Sequence, residues 1–322
     1  MQAPEVQEAE VASDPVASII VPSYRGADRL PQLLDSLAAQ KDSTPSFEVV
    51  VVVDGVDDGS VALLENESRL DLRSIVFPEN RGRVAALNAG FEAARGDVLI
   101  RCDDDLLPAV DYVAAHVSAH QGGPGGVIGL YLNEYSTTPY AEVYGKDADQ
   151  RFRRDAYNSA SAVTWRYWAG NCSITREIWE AVGPYDPEYR LYGWEDVDYG
   201  YRIHAAGFEV HLAPELETPH RVAAVTTAVR SRRASHSGAA RRLFERKHPQ
   251  SGLPHAIPEW SLWNALVRGL SRVPLNPARL GGAVDSLLRF LPHGVGRKLV
   301  ALSVESAALG GYRSPHTAKE TF

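Results

Sequence analysis

Three aspartates stand in a row, Asp103, Asp104 and Asp105, directly behind an apolar stretch that ends at Cys102. Consecutive carboxylates repel one another, and something must offset that cost. A divalent cation does so, because hard oxygen donors suit Mg²⁺ or Mn²⁺. A solvated turn with a helix cap is the competing reading. A second acidic turn, Asp54-Gly55-Val56-Asp57-Asp58-Gly59-Ser60, follows five consecutive valines at 49–53. Asp54, at the strand end, is placed to accept from a base N–H or a ribose hydroxyl, whereas Asp58 or Ser60 reads as a helix cap. A third group, Tyr192-Gly193-Trp194-Glu195-Asp196-Val197-Asp198, opens a helix, where partial positive charge favours carboxylates. Complementing the helix dipole accounts for Asp198, which also sits four residues before Arg202 and can pair with it. It accounts less well for the aromatic, glycine-bearing approach to Glu195 and Asp196.

Such residues act together only if the elements that carry them end at one edge. Apolar runs at 17–22, 49–53, 75–77 and 98–100 read as strands, and the all-valine run as one buried on both faces of a parallel sheet. Helical spacing appears at Leu30, Leu33, Leu34 and Leu37, with Asp28 placed as cap, again at Val84, Leu87, Phe91 and Ala94, and over 111–120. This rhythm predicts a doubly wound α/β sheet with ligands at the C-terminal strand ends. Residues 121–161 are poorly periodic: one strand at 127–131, then a long excursion. Helices are expected at 175–182 and 195–206, the latter stopped by Gly207, and a strand at 208–212. Beyond His220 the pattern changes to basic helices at 230–247, 260–270 and 284–302.

Read in order, Pro22-Ser23-Tyr24, the Asp54 turn, Asn80-Arg81-Gly82, Ala85-Ala86-Leu87-Asn88-Ala89-Gly90, the aspartate triplet, Gly170-Asn171 and Gly193-Trp194-Glu195-Asp196 resemble the pattern of family 2 glycosyltransferases. The resemblance covers roughly residues 17–220. It implies the GT-A fold, a Rossmann-like, mainly parallel doubly wound sheet, here with an added helical C-terminal region. It also implies inverting sugar transfer from a nucleotide-sugar donor to a hydroxyl acceptor, in cell-envelope or polysaccharide synthesis. By the same resemblance, Asp103 and Asp105 hold Mn²⁺ or Mg²⁺ on the donor diphosphate, Asp105 more directly, with Asp104 between them in the nucleotide site. Pro22, Tyr24 and Asp54 line the nucleoside pocket, and Arg81 or Arg83 approaches the nucleotide. Asp196 is the general base, with Glu195 beside it. His220 matches a third metal ligand, although a lone loop histidine also fits a structural role. Val53 and Arg25 depart from the Asp and Asn frequent at these places, which leaves the nucleotide base open.

The chemistry is coherent on its own terms. A metal neutralises a departing diphosphate. An acceptor hydroxyl needs a carboxylate base in hydrogen-bond reach. One carboxylate cluster is present for each of these roles, and a single displacement inverts the anomeric centre. Two other readings stand: a nucleotidyltransferase, which would favour a Gly-rich basic loop after the first strand, and a non-catalytic sugar-nucleotide-binding protein of the same fold. Trp165, Tyr167, Trp168, Trp179 and Trp194 suit either sugar stacking or core.

With 322 residues, 44% hydrophobic and 23% charged, the chain has globular composition. Cys102 and Cys172 are too few for a disulfide framework or a four-thiolate zinc site, and fit a reducing compartment. The acidic first residues lack an apolar run, and no stretch reaches the roughly 18 residues of a bilayer span. A cytoplasmic protein is expected, with a disordered leader at 1–15 and a catalytic domain at 16–220, split into a nucleotide half at 16–106 and an acceptor half at 107–220. The net charge of −8 hides an asymmetry. Residues 221–322 hold sixteen basic and five acidic side chains, a net of +11, and the remainder carries −19. The acidic part argues against nucleic acid as its ligand. The basic region is expected either to pack on the acidic domain, to lie on an anionic membrane face, or to close Arg232, Arg233, Arg241 and Arg242 over the donor phosphates.

Overall fold

The computed structural model describes residues 14–55, 58–190, 193–221 and 223–317. Residues 1–13 of the expected leader, and Val56, Asp57 and Tyr192 of the acidic turns, lie outside the described residues. Strands and helices alternate at first as the apolar spacing predicts: β1 (Ala17–Ser23), α1 (Leu30–Ala38), β2 (Phe47–Val53), α2 (Ser60–Glu65), β3 (Leu72–Val76), α3 (Arg83–Ala93) and β4 (Val98–Cys102). Next come α4 (Tyr112–Ala119), β5 (Gly126–Ile128) and β6 (Tyr131–Asn133). A π-helical turn, Ala141–Gly145, runs into α5 (Lys146–Tyr157), and a 3-10 helix spans Ser161–Tyr167. Then follow β7 (Asn171–Thr175), α6 (Arg176–Val182), α7 (Trp194–Ala205), β8 (Val210–Leu212) and β9 (Thr218–His220). The C-terminal helices are α8 (Thr227–Lys247), α9 (Leu262–Leu270), α10 (Pro277–Leu288) and α11 (His293–Arg313).

The main sheet has the order β3-β2-β1-β4-β7-β5-β8. Its neighbours are parallel except at β7, which is antiparallel to both β4 and β5. Alternate residues of a strand face opposite layers, and β1 shows it. Ile19 and Val21 pack with Leu30, Leu33, Leu34 and Leu37 of α1, while Ile20 packs with Val84, Leu87 and Phe91 of α3. The valines of β2 are at most 1% exposed, as a strand covered on both faces requires. A separate parallel ribbon pairs β6 with β9.

Four local expectations are corrected. Asp28 does not cap α1: the helix begins at Leu30 with Arg29 as N-cap and no side-chain cap. The single strand expected at 127–131 divides, because Gly129 N–H still bonds Asn171 O of β7 whereas Leu130 O accepts from Thr218 in the ribbon. The excursion at 121–161 contains α5, which has no apolar stripe to read. Its polar surface is held by charge instead, with Lys146 on Glu142 and Arg153 on both Asp149 and Glu217. The helix expected at 284–302 is two helices: Asn276 caps α10 through Arg279 N–H, and Pro292 stands immediately before α11.

Helices α8, α10 and α11 form a bundle whose core joins Ala234, Val284, Leu288, Val300 and Val304 to Tyr140 and Val143 of the segment around the π-helical turn. Asp285 accepts from the N–H groups of Thr227 and Ala228, at 2.8 and 3.1 Å, and so anchors the start of α8. Against α7, Trp194 Nε1 donates to Ser237 Oγ at 3.0 Å, and its ring lies tilted against Phe244 at 5.0 Å between centroids. The bundle is thus docked by an apolar seam with specific caps.

Behind β7 lies a buried polar knot. Ser173 Oγ is 2.9 Å from His116 Nδ1 and 2.8 Å from His120 Nε2, while Asn171 Oδ1 accepts from Tyr112 at 2.9 Å. Burial pushes His116 down to about 3 and His120 down to about 4. The unfolded chain therefore takes up protons first, once the pH falls below about 6.5. Stability is full above that pH and is lost as the pH drops from there toward 4. In His116→Gln, the stability lost between pH 7 and pH 5 should shrink by about 1–2 kcal/mol, measured by urea unfolding at both pH values. An unchanged pH dependence would remove this histidine from the account.

Candidate active site

Parallel pairing of β2, β1 and β4 puts their C-terminal ends on one edge, and the acidic turns follow from them. Asp103 N–H bonds Gly170 O at 2.9 Å, across the β4–β7 pair. A Cβ at position 170 would lie 2.1 Å from the Asp103 carboxylate, so only glycine leaves that carboxylate its space. Asp104 points the opposite way, as a middle residue of an extended turn must. It is 7% exposed, accepts from Ser23 Oγ at 2.6 Å, and takes both Nε and Nη2 of Arg29 at 2.8 Å. Its oxygens are turned into the framework, away from Asp103 and Asp105.

Asp105 faces His220, with Oδ2 3.1 Å from Nε2. Oδ1 of Asp105 is buried and has no hydrogen-bond partner among the described residues. The small ribbon makes this meeting possible. Leu106 bridges His220, Leu107 N–H bonds Pro219 O, and Arg221 N–H bonds Asp105 O at 3.0 Å. Tyr131 stacks on the His220 ring at 4.6 Å between centroids, and its hydroxyl accepts from Gly170 N–H at 2.7 Å. Asn133 Oδ1 lies 2.6 Å from His220 Nδ1.

Arg101, fully buried in β4, joins the two acidic groups. Its Nε is 3.0 Å from Asp103, and its Nη1 bonds Asp196 Oδ1. Burial would raise the Asp103 carboxyl, but Arg101 and Arg83 outweigh it and hold the group below its usual range. No three Asp, Glu, His or Cys side chains form a ready metal cage among the described residues. Of the expected trio, Asp103 bonds Arg101, while Asp105 and His220 face each other. That pair fits a hard cation that takes its other ligands from diphosphate oxygens and water. The buried Asp105 oxygen supplies one donor and the imidazole another.

The other carboxylates open α7. Gly193 adopts φ 101, a conformation that strains other residues, and its N–H donates to Glu195 Oε2 at 2.7 Å. Arg83, the first residue of α3, reaches to 3.6 Å from Glu195 Oε1. Burial pushes Glu195 up to about 7, with Asp196 adding to it. Burial also raises Asp196, against the pull of Arg101. The predicted Asp198–Arg202 pair forms at 2.9 Å, and His248 of the bundle joins it at 2.7 Å.

On the nucleotide side, Asp54 is 3% exposed and accepts from the backbone N–H groups of Arg81 and Gly82, at 2.6 and 2.9 Å. It braces the loop before α3 instead of presenting a bare carboxylate. Arg81 lies over the Phe77 ring at 4.7 Å. Pro22 is partly buried at the end of β1, and Tyr24 is 36% exposed. Arg25 has φ 52, a left-handed conformation that Asn reaches more easily, so the departure from Asn at this place costs backbone strain. Trp165 and Trp168 are core, 1% and 2% exposed.

Sequence reasoning missed Arg101, Tyr131 and Asn133. Arg101 did carry a signal, a charge inside an otherwise apolar strand. Tyr131 and Asn133 carried none, since their roles depend on which strand pairs with β6.

A mainly parallel sheet with one antiparallel strand and an acidic C-terminal edge is the GT-A arrangement of glycosyltransferases. A mannosyltransferase from Pyrobaculum calidifontis, solved in complex with GDP-Man and Mn²⁺, shares the fold at TM-score 0.58 and 21% identity, over 93% of this chain and 88% of its own. The glycosyl transferase family 2 model matches residues 18–179, and the chain belongs to that family. A model described as the N-terminal domain of galactosyltransferase matches residues 155–225. Validoxylamine A glucosyltransferase of Streptomyces hygroscopicus subsp. jinggangensis is 29% identical over 288 residues, 79% of this chain and 65% of its own length. An undecaprenyl-phosphate 4-deoxy-4-formamido-L-arabinose transferase of Pseudomonas fluorescens is 40% identical over 93 residues, 28% of this chain and 27% of its own. The chain thus spans less than two thirds of either relative.

Arg101→Met should leave Asp103 and Asp196 without the guanidinium that bonds both, with Arg83 as the remaining nearby cation. We expect a loss of about 3–5 kcal/mol in urea unfolding. Adding Asp103→Asn and Asp196→Asn should recover most of it. Wild-type stability in the single variant would show that the carboxylates have other support.

Proposed function

We propose that the protein transfers a sugar from a nucleotide-sugar donor to a hydroxyl acceptor, with inversion and with a divalent cation, Mn²⁺ or Mg²⁺. The observation that carries this reading is the buried Asp105 oxygen beside His220, without a partner among the described residues, on the same sheet edge as an acidic helix start at Glu195 and Asp196. Asp105 and His220 would hold the cation, which supplies charge neutralisation for the leaving diphosphate. Arg101 pins Oδ1 of Asp196, so Oδ2 is the oxygen left to take the proton of the acceptor hydroxyl. The raised affinity of Asp196 for a proton suits that role. Glu195 is the second candidate. Asp103 acts through Arg101, Asp104 through Arg29, and Asp54 through the loop it braces. Pro22, Tyr24, Arg81 and Arg83 would border the nucleotide. The named relatives support sugar transfer, and the GDP-Man and Mn²⁺ complex of the mannosyltransferase supports a nucleotide-sugar and metal site in this fold.

The acceptor is proposed to be a glycan or a lipid-linked sugar, in cell-envelope or polysaccharide synthesis. No helix among the described residues is long and apolar enough to cross a membrane. Trp260 and Phe290 are nevertheless 75% and 74% exposed, and Leu262, Leu266, Leu287 and Val295 are exposed as well. Arg272, Arg279, Arg289, Arg297 and Lys298 lie exposed on the same stretch of chain. Apolar side chains among basic ones suit peripheral contact with an anionic bilayer face.

Incubation with Mn²⁺ and a panel of UDP-, GDP- and dTDP-sugars should release a nucleoside diphosphate. Release from none of them, with or without acceptor, would overturn sugar transfer. Asp196→Asn should lower turnover by roughly 10²-fold or more while donor binding survives. Near-normal turnover would pass the role of base to Glu195. The protein should also sediment with anionic liposomes, less so at high salt, and Trp260→Ser with Phe290→Ser should release it. No sedimentation at any salt would end the membrane reading.

A further inference from the structure

We propose that Asn133, itself oriented by Asp149, is a positioning residue that keeps the proton of His220 on Nδ1 and so presents a bare Nε2 to a divalent cation shared with Asp105. The inference rests on the metal-dependent reading above and adds to it residues that no local motif marks.

The argument starts in the ribbon. Parallel pairing of β6 and β9 sets Asn133 opposite His220. The far end of Asn133 meets α5, where its Nδ2 donates to Asp149 Oδ1. Burial raises the Asp149 carboxyl, and the bonds from Asn133 and Arg153 oppose that rise. A carboxylate only accepts, so the hydrogen of this bond is the Asn133 amide's. Arg153, 3.6 Å from Asp149 and 3.1 Å from Glu217, supplies the neighbouring positive charge. The amide of Asn133 is therefore not free to flip: its NH₂ belongs to Asp149 and its oxygen to His220. That oxygen sits 2.6 Å from His220 Nδ1, so Nδ1 must carry a hydrogen. A neutral imidazole has one N–H, which leaves Nε2 as a lone pair.

Nε2 points at Asp105 Oδ2, 3.1 Å away. Two lone pairs at that distance repel unless a positive charge lies between or beside them. Without Asn133 the ring would relieve the repulsion by moving its proton to Nε2 and donating to Asp105, which would close the site to a metal. The relay opposes that tautomer. Tyr131, stacked on the ring at 4.6 Å, stops the imidazole from turning away. In metal sites generally, the group that accepts from the far nitrogen of a ligand histidine fixes both its tautomer and its orientation. The relay also accounts for α5, since this polar helix brings Asp149 to the ribbon.

Two measurements on the full chain test this. ¹⁵N-histidine NMR at pH 8, with His220→Gln used to identify the His220 signals, reads the tautomer without any metal. Wild type should show Nδ1–H and a bare Nε2, and Asn133→Leu should move the proton to Nε2. Titration with Mn²⁺ alone, followed by electron paramagnetic resonance, reads the affinity. Asn133→Leu should bind Mn²⁺ roughly 10–100-fold more weakly, with a circular-dichroism melt close to wild type. The exchanged pair Asn133→Asp with Asp149→Asn returns an acceptor to Nδ1 and should regain most of the affinity. A merely structural Asn133 would not show that rescue. Nε2–H in the wild type, equal Mn²⁺ affinity in Asn133→Leu, or no rescue by the exchanged pair would overturn the relay alone. No Mn²⁺ uptake by the wild type would overturn it together with the metal-dependent reading.

Discussion

The guanidinium of Arg101 sits in the main sheet with no exposure to water, between Asp103 of the β4 turn and Asp196 at the start of α7. A buried cation requires buried anions in good geometry, since the desolvation cost is otherwise uncompensated. That requirement ties two chain segments, 95 residues apart, to one point. Each aspartate of the triplet has a different partner. Asp103 is drawn toward the sheet, Asp104 toward Ser23 and Arg29, and Asp105 is left facing His220.

Around that ion network the fold reads as a set of braces for short loops. The antiparallel strand β7 delivers Gly170 to Asp103, and the histidine knot behind it fixes Ser173 and Asn171. The ribbon of β6 and β9 lays His220 against Asp105 and sets Asn133 beside it. Asp54 braces the loop before α3 through two backbone N–H groups. Backbone hydrogen bonds place each loop, and side chains then have little freedom left.

The C-terminal bundle follows a different rule. Its net positive charge suggested attraction to the acidic remainder of the chain, yet the seam is mostly apolar, with Tyr140 and Val143 meeting Val300 and Val304. Charge enters at specific pairs: Asp285 at the first turn of α8 within the bundle, and, across the seam, His248 at Asp198 and Lys247 at Asp186 and Glu188. Arg272, Arg279, Arg289, Arg297 and Lys298 are exposed along the stretch that also exposes Trp260 and Phe290.

Much of the nucleotide half was legible in the residues themselves. Five valines in a row admit little but a strand covered on both sides: the leucines of α1 cover one face, and Phe77 with Ala86 of α3 meets Val52 on the other. The acidic turns could be placed at strand ends because apolar runs stop abruptly there. These are short-range patterns, and they pointed to the family and to Asp105, Asp196 and His220 as residues of one site. The partners of those residues were not legible. Whether Asp103 faces a cation or Arg101, whether Asp54 is bare or bonded to residues 81 and 82, and which nitrogen of His220 is bonded depend on contacts between residues 27 to 87 positions apart, or on two side chains turning toward each other within one strand end. Helix α5 was missed because ion pairs, not an apolar stripe, hold it. Local sequence determines where the chain turns and which face it buries. Only tertiary pairing decides which buried polar group satisfies which, because in a dry interior each must find a partner and the sequence does not say where that partner lies.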